Sequence, residues 1–291
     1  MSSDAVPDAR FHNAEAERAS GETIRFSFGR NWRKYLNSLS PGRLAQARES
    51  LAASLSRSDL DGLTFIDAGC GSGVFSLSAL DLGAKYVTSI DIDPSSVACA
   101  RDLCARSPRA DDWTIRQGSV LDSQFIDALE PADIVYSWGV LHHTGAMWTA
   151  IDNAMRLVAP GGLLCLALYR EPRHAGLHLA LKRAYNRAPS PGRFALLALY
   201  CGILVTHQSL ATRTPPWEYV AEYGRQSRGM SLVRDVEDWL GGLPCDYATP
   251  EGIDALAVQR GFVAERTIIA PRGGNNEYLL RRTGGDVSHS A

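Results

Sequence analysis

One stretch restricts the fold more than any other: Asp67-Ala68-Gly69-Cys70-Gly71-Ser72-Gly73, set between a short apolar run, Thr64–Ala68, and a helical pattern from about Val74 to Leu82. Glycines at a strand-to-helix turn free the backbone for close approach to a ligand. The helix behind them offers unpaired N–H groups and the positive end of its dipole, which suits an anionic group. A dinucleotide fingerprint needs G-x-G-x-x-G. Counted from Gly69 the last position is Val74, and counted from Gly71 it is Ser76, so that fingerprint is missing. The spacing is G-x-G-x-G, with an acid, Asp67, ahead of the first glycine. An ordinary tight turn does not call for such a series.

The same strand–helix rhythm continues. Tyr86–Ile92 reads as a second strand, and Asp93-Pro94 as N-cap and first residue of a helix to Ala105. Trp113–Arg116 and Ala132–Trp138 are a third and a fourth strand, and Thr144 caps a helix to about Val158. Pro160-Gly161-Gly162 then turns the chain into a fifth strand, Leu163–Tyr169. Residues 170–248 break the rhythm with Pro, Arg, aromatic residues and an apolar helix-like run, and show no clear strand. Thr249-Pro250 starts a helix to Arg260. Phe262–Ala270 and Asn276–Arg281 read as a hairpin whose turn Asn275 and Asn276 shape. The expected fold is α/β: a Rossmann-like doubly wound sheet, mostly parallel, with an antiparallel C-terminal hairpin strand and an inserted helical cap.

Composition narrows the classes. The chain's 291 residues are 45% hydrophobic, enough for one sizeable core and a cap. A net charge of −2 lacks the basic footprint of a nucleic-acid binder, although a local basic patch is compatible with it. The six cysteines show neither C-x-x-C spacing nor zinc-like spacing to histidine, so reduced core thiols are expected and no metal site. Reduced thiols and a polar, acidic N-terminus without an apolar signal core fit a cytoplasmic protein. The longest apolar run, Phe194–Val205, is shorter than the roughly 20 residues of a bilayer span, so no stable membrane insertion is expected. With Arg183, Arg187 and Arg193 upstream, the run suits contact with a membrane surface or lipid tail, or a buried helix of the cap. No oligomeric state is implied.

Three further stretches stand at strand ends. Asp91 closes the second strand, where a carboxylate accepts hydrogen bonds from a ribose diol, unless it is a second cap beside Asp93. Gly118-Ser119-Val120-Leu121-Asp122 follows the third strand. Ser137-Trp138-Gly139-Val140-Leu141-His142-His143 ends the fourth, where open α/β sheets bind ligands. In this order the motifs resemble those of class I S-adenosylmethionine-dependent methyltransferases, over about residues 60–280. The resemblance implies S-adenosyl-L-methionine as cofactor. Asp67, Gly69, Cys70, Gly71 and Gly73 would hold its methionine part, Asp91 and Ile92 its ribose, and Ser119 and Val120 its adenine. Ser119 stands where the family often has Asp, and a hydroxyl also accepts from an exocyclic amine. Trp138 packs along the cofactor or in the core.

The Leu-His-His run, followed by a helix and Pro-Gly-Gly, resembles small-molecule methyltransferases acting on quinols and related metabolites. The Asn-Pro-Pro-aromatic run of enzymes that methylate exocyclic amines in DNA or glutamine is absent. Residues 26–36, 137–148, 229–244 and 275–280 extend the similarity to a bacterial branch of ubiquinone-biosynthesis-like methyltransferases. The implied reaction transfers methyl to a small-molecule acceptor, first a hydroxyl oxygen of a quinol, phenol, sugar or other natural product, with nitrogen, sulfur or carbon as alternatives. A hydroxyl must lose its proton, and histidine suits that task. His142 or His143 is the candidate base, unless the pair caps the next helix or packs beneath the cofactor. Trp32 and Tyr35, on a helical pattern with Phe28 and Leu36, either close over the cofactor or cover the sheet edge. Trp217, Tyr219, Tyr223 and Trp239 either bind an aromatic or lipidic substrate or form the cap's own core.

The corresponding divisions are 1–60, leader and lid; 61–169, cofactor-binding core; 170–248, cap on the substrate side; 249–283, helix and hairpin completing the core; and 284–291, tail. Two other classes fit the same fold. A nicotinamide-dependent oxidoreductase needs the missing third glycine. A non-catalytic cofactor-binding partner would bind S-adenosylhomocysteine without turnover.

Overall fold

Alternation along the strands builds two cores, one on each side of a single sheet. The computed structural model describes residues 32, 36, 39–226, 231–270 and 274–284. Its strands are β1 (Thr64–Ala68), β2 (Tyr86–Asp91), β3 (Trp113–Gln117), β4 (Ala132–Trp138), β5 (Val158–Tyr169), β6 (Phe262–Ile268) and β7 (Asn275–Arg282). They form one seven-stranded sheet in the order β3-β2-β1-β4-β5-β7-β6. The strands from β1 to β5 pair in parallel, and β7 runs antiparallel to both β5 and β6. This is the Rossmann-like sheet with an antiparallel hairpin strand that the sequence implies.

The helices are α1 (Pro41–Leu55), α2 (Val74–Asp81), α3 (Pro94–Cys104), α4 (Ser123–Asp127), α5 (Met147–Arg156), α6 (Ala175–Arg187), α7 (Ser190–Thr212), α8 (Pro216–Gln226), α9 (Leu232–Gly241) and α10 (Pro250–Gln259). Successive strand residues face opposite sides of a sheet. Phe65, Ile134, Tyr136, Leu163 and Leu279 pack with Leu51 of α1, Leu80 of α2 and Ala100 of α3. Their neighbours Ile66, Val135, Leu164 and Leu280 pack with Ile126 of α4, Ile151 of α5 and Ile253 of α10.

Several helix starts follow from local chemistry. Asp93 accepts from the Ser95 N–H with Pro94 at the first helical position, and Thr249 does the same for Gly252 beside Pro250. Thr144 departs from expectation. Gly145 at φ +76° turns the chain, and α5 begins only at Met147. Thr144 instead donates to the Leu141 carbonyl at 2.7 Å, closing the single 3-10 turn Leu141–His143. The fifth strand also starts earlier than expected, at Val158, so Pro160-Gly161-Gly162 lies within it.

Helices α6 to α9 occupy residues 175–241 and share a core of their own: Tyr185, Leu232, Val236 and Leu240 meet Leu196, Leu197, Tyr200 and Leu204 of α7. Buried Lys182 donates to the carbonyls of Trp239 and Gly242, at the end of α9, and its ammonium lies 4.8 Å from the Trp239 ring centre. The apolar run Phe194–Val205 is only the middle of a 23-residue helix, α7. By length and composition that helix suffices to cross a membrane, which the shorter run did not suggest. All six cysteines are free thiols.

The hairpin depends on Asn276, which is wholly buried. Its Oδ1 accepts from the Ala270 N–H at 3.1 Å and its Nδ2 donates to the Tyr278 hydroxyl at 3.1 Å. Asn276→Ala orphans the buried Ala270 N–H. It is expected to lower the unfolding free energy by about 1–3 kcal/mol, read as a lower urea midpoint at unchanged slope.

Candidate active site

The glycine turn takes the geometry its sequence requires. Gly69, Gly71 and Gly73 have φ of +86°, +54° and +79°. The N–H groups of Gly69 and Cys70 both donate to the Ile90 carbonyl, at 2.8 and 3.0 Å, tying the turn to β2. A Cβ on Gly69 would stand 2.4 Å from Val140, and one on Gly71 would stand 2.7 Å from the Trp32 indole. Behind the turn runs a buried polar chain. The Trp113 indole N–H donates to Ser89 at 2.7 Å, Ser89 and Ser76 share a 2.6 Å bond, and Ser76 donates to Asp67 at 2.6 Å. Asp67 thus braces the turn from beneath and does not line the cleft beside it. Cys70 and Gly73 are also absent from that lining. Burial first, then Asp67 and Asp91, hold the Cys70 thiol well above its ordinary value, so it stays protonated.

The cleft, about 1050 Å³ with its mouth, opens at the carboxyl ends of β1 to β4. One end is formed by Gly69, Gly71, Asp91, Ile92 and Asp93, and the floor by Gly118, Ser119, Val120 and Leu121. The lining also includes Trp138, Gly139, Val140, His143, Thr144, Leu243 and Pro244, and Trp32, whose indole lies against Gly71.

Asp91 accepts from the Gly71 N–H and the Asp93 N–H, each at 2.9 Å. A carboxylate has about four lone-pair sites, so capacity for a sugar hydroxyl remains. Burial, partly offset by those backbone bonds, raises its pKa to about 6. A glycine cradle for an amino-acid tail, an acid beside it and the loop Gly118–Leu121 for a base fit S-adenosylmethionine.

The two histidines separate. His143 lines the cleft, and its Nδ1 lies 2.7 Å from the Pro244 carbonyl. A Cβ on Gly242 would stand 2.7 Å from the ring's Cε1, so this glycine makes room for the imidazole. Burial first, then Lys182, push the His143 pKa down to about 3, against the pull of the Pro244 bond. His142 faces away. It is fully buried, packs 4.0 Å from the Tyr169 ring and has no hydrogen-bond partner at either nitrogen among the described residues.

Of the remaining expected residues, Ile92, Ser119, Val120, Trp138 and Trp32 meet in the cleft, while Tyr35 lies outside the described residues. Trp217, Tyr219, Tyr223 and Trp239 do not line it. Trp239 stacks on Tyr200 at 4.8 Å, Tyr223 donates to Asp235 at 2.8 Å, Tyr219 packs on Tyr223, and Trp217 is 72% exposed. Sequence reasoning missed Leu243 and Pro244, which follow α9. Their one signal was the similarity over 229–244, which assigned no role.

Residues 66–166 match a family model described as a methyltransferase domain. Curated relatives include ribosomal protein L11 methyltransferases. The one from Haemophilus ducreyi is 39% identical over 109 residues, 38% of this chain and 34% of that protein. The one from Tolumonas auensis is 46% identical over 106 residues, 36% of each. The chain thus spans about a third of the length of the curated relatives it matches. Among solved structures, the pyocyanin biosynthetic protein PhzM overlays with a TM-score of 0.50 at 17% identity, covering 92% of this chain and 64% of PhzM. That likeness shows the fold.

Protonating Asp91 removes acceptor sites for a sugar hydroxyl. Calorimetric affinity for S-adenosylhomocysteine is therefore expected to hold steady at neutral pH and to weaken as pH falls through about 6. A flat profile down to about pH 5 would detach Asp91 from the ligand. With the domain match and the glycine cradle in register, residues 66–166 are a methyltransferase domain of the Rossmann-like, S-adenosylmethionine-using kind.

Proposed function

We propose that the chain is an S-adenosylmethionine-dependent methyltransferase whose acceptor is a small molecule bearing a hydroxyl oxygen, of the quinol or phenol kind. The observation that carries this reading is the bond between His143 Nδ1 and the Pro244 carbonyl. A carbonyl only accepts, so Nδ1 holds the proton and Nε2 the lone pair. With its pKa near 3 the ring stays neutral, the form in which an imidazole can serve as base toward an acceptor hydroxyl.

When bound, S-adenosylmethionine supplies an electrophilic methyl carbon on an already activated sulfonium. Gly69 and Gly71 would hold its amino-acid tail, Asp91 and Ile92 its ribose, Ser119 and Val120 its adenine, and Trp138 its flank. Asp67, Cys70 and Gly73 support the turn from behind. Trp32 covers the turn and keeps water from it. The chain's remaining task is orientation, which supplies much of the rate in such a displacement. His143 aims one lone pair of the acceptor oxygen by engaging its O–H. As the new C–O bond forms, that O–H becomes strongly acidic, so a weak base suffices to take the proton and pass it to solvent.

The apolar wall of Val140, Leu243 and Pro244 supports a flat, uncharged acceptor. It comes from the segment that resembles the ubiquinone-biosynthesis-like branch, which favours that placement. Six free thiols support a cytoplasmic setting. A protein acceptor is the second reading, because the curated relatives carry a ribosomal protein in their name. The cleft lining runs from Trp32 to Pro244, so a match over 109 residues cannot take in both ends of it.

The test incubates protein, methyl-labelled cofactor and a metabolite extract, then identifies the labelled product. Label on the oxygen of a small molecule is expected; label on nitrogen, carbon or ribosomal protein overturns the assignment. His143→Ala is expected to lower kcat about 100-fold while S-adenosylhomocysteine affinity stays unchanged. At saturating cofactor, kcat should show no imidazole limb between about pH 5 and pH 8.

A further inference from the structure

The helix α7 carries large apolar side chains on its outer face as well as on its inner one. Leu196, Leu197, Tyr200 and Leu204 point into the cluster around Tyr185 and Val236. The opposite stripe, at helical spacing, carries Ala195, Leu199, Gly202, Ile203, Thr206 and Leu210, all exposed. Leu199 is 62% exposed, Ile203 58% and Leu210 76%. Ser209 is the one buried residue of the helix. No Asp, Glu, Lys or Arg occurs from Phe194 to Thr212. Such a face left to water is unfavourable, and exposed apolar patches of this kind mark interaction sites.

Charge identifies what covers it. Between Glu171 and Glu218 the chain has no acidic residue, yet it carries Arg173, Lys182, Arg183, Arg187, Arg193 and Arg213. Lys182 is buried, so the arginines supply the surface charge. In sequence they flank the stripe on both sides, in a protein whose net charge is −2; Arg193 also donates to the Ala188 and Asn186 carbonyls. An indole, Trp217, stands exposed just past the helix's end. An apolar stripe on α7, with arginines on α6 and at the two ends of α7 and an exposed indole at the start of α8, suits a surface that rests in a membrane interface. We infer that the outer face of α7 docks the protein on an anionic phospholipid bilayer surface. The stripe sinks among the acyl chains and the arginines meet the phosphates. The helix lies on the bilayer and does not cross it, because crossing would strip its inner face from Tyr185, Val236 and Leu240.

The experiment floats the full chain with vesicles of phosphatidylcholine alone or mixed with phosphatidylglycerol, without cofactor or acceptor, so its outcome is independent of turnover. Flotation with the anionic vesicles, at least about tenfold above the neutral ones and weakened by added salt, is expected. The double variant Leu199→Glu, Ile203→Glu should lose flotation and keep its S-adenosylhomocysteine affinity and thermal midpoint. If that variant unfolds, Leu210→Glu, farther from the packed face, replaces it. Equal partition into both vesicle types, or none, overturns the inference. So does light scattering that shows a dimer split by the same substitutions, which would assign the stripe to a second copy of the chain. Cells whose protein resists alkaline extraction would overturn it too, in favour of a spanning helix.

Discussion

The carboxylate of Asp91 is the joint on which the cleft turns. It grips the Gly71 N–H on one side and the Asp93 N–H on the other, so the end of β2, the turn after β1 and the start of α3 share one anchor. The anchor is buried, and burial penalises charge. Its folded pKa, about 6, lies above the usual carboxylate range. The folded protein therefore holds this proton where the unfolded chain has lost it. Stability from this group rises as pH falls from about 6 toward about 4, and at neutral pH the ionised form costs stability. In the proposed cofactor site, the demand for an ionised acceptor and for a dry wall meets in this one side chain.

The helical segment serves the cleft from a distance. Lys182 binds the carbonyls of Trp239 and Gly242 and so sets where α9 ends. From that end come Leu243 and Pro244, and the Pro244 carbonyl orients His143. Burial lowers the Lys182 pKa to about 8, and its charge contributes to the neutrality of both histidines. The helices thus shape the surroundings of His143 without placing any of their aromatic side chains in the cleft lining.

Much of this was legible in the residues themselves. Strand periodicity located β1 and β4 to the residue, and the Asp93-Pro94 and Thr249-Pro250 pairs marked two helix starts, because these signals are local. The glycine turn was legible for the same reason: positive φ needs glycine whatever lies far away. Residues whose roles depend on partners distant in sequence were not. Asp67 looks like a ligand-facing acid until Ser76 is found opposite it. His142 and His143 are neighbours in sequence, yet only the turn Leu141–His143 decides which one faces the cleft. Pro244 reaches that histidine across about a hundred residues, and no spacing rule announces it. The length of α7 was underestimated because Thr206, His207 and Gln208 interrupt the apolar run without interrupting the helix.

The order of strands bears on how the chain is made. β5 lies inside the sheet, with Leu166 opposite Ser137 of β4 on one side and Tyr278 of β7 on the other. A ribosome delivers β4 and β5 together but withholds β7 until all of α6 to α10 has emerged. Throughout that interval Leu163–Leu168, wholly buried in the finished fold, presents one open edge. An apolar strand with an unpaired edge is a template for foreign strands. The nascent chain therefore carries this open edge from the release of β5 until β7 emerges, and the hairpin of β6 and β7 is what closes the hazard.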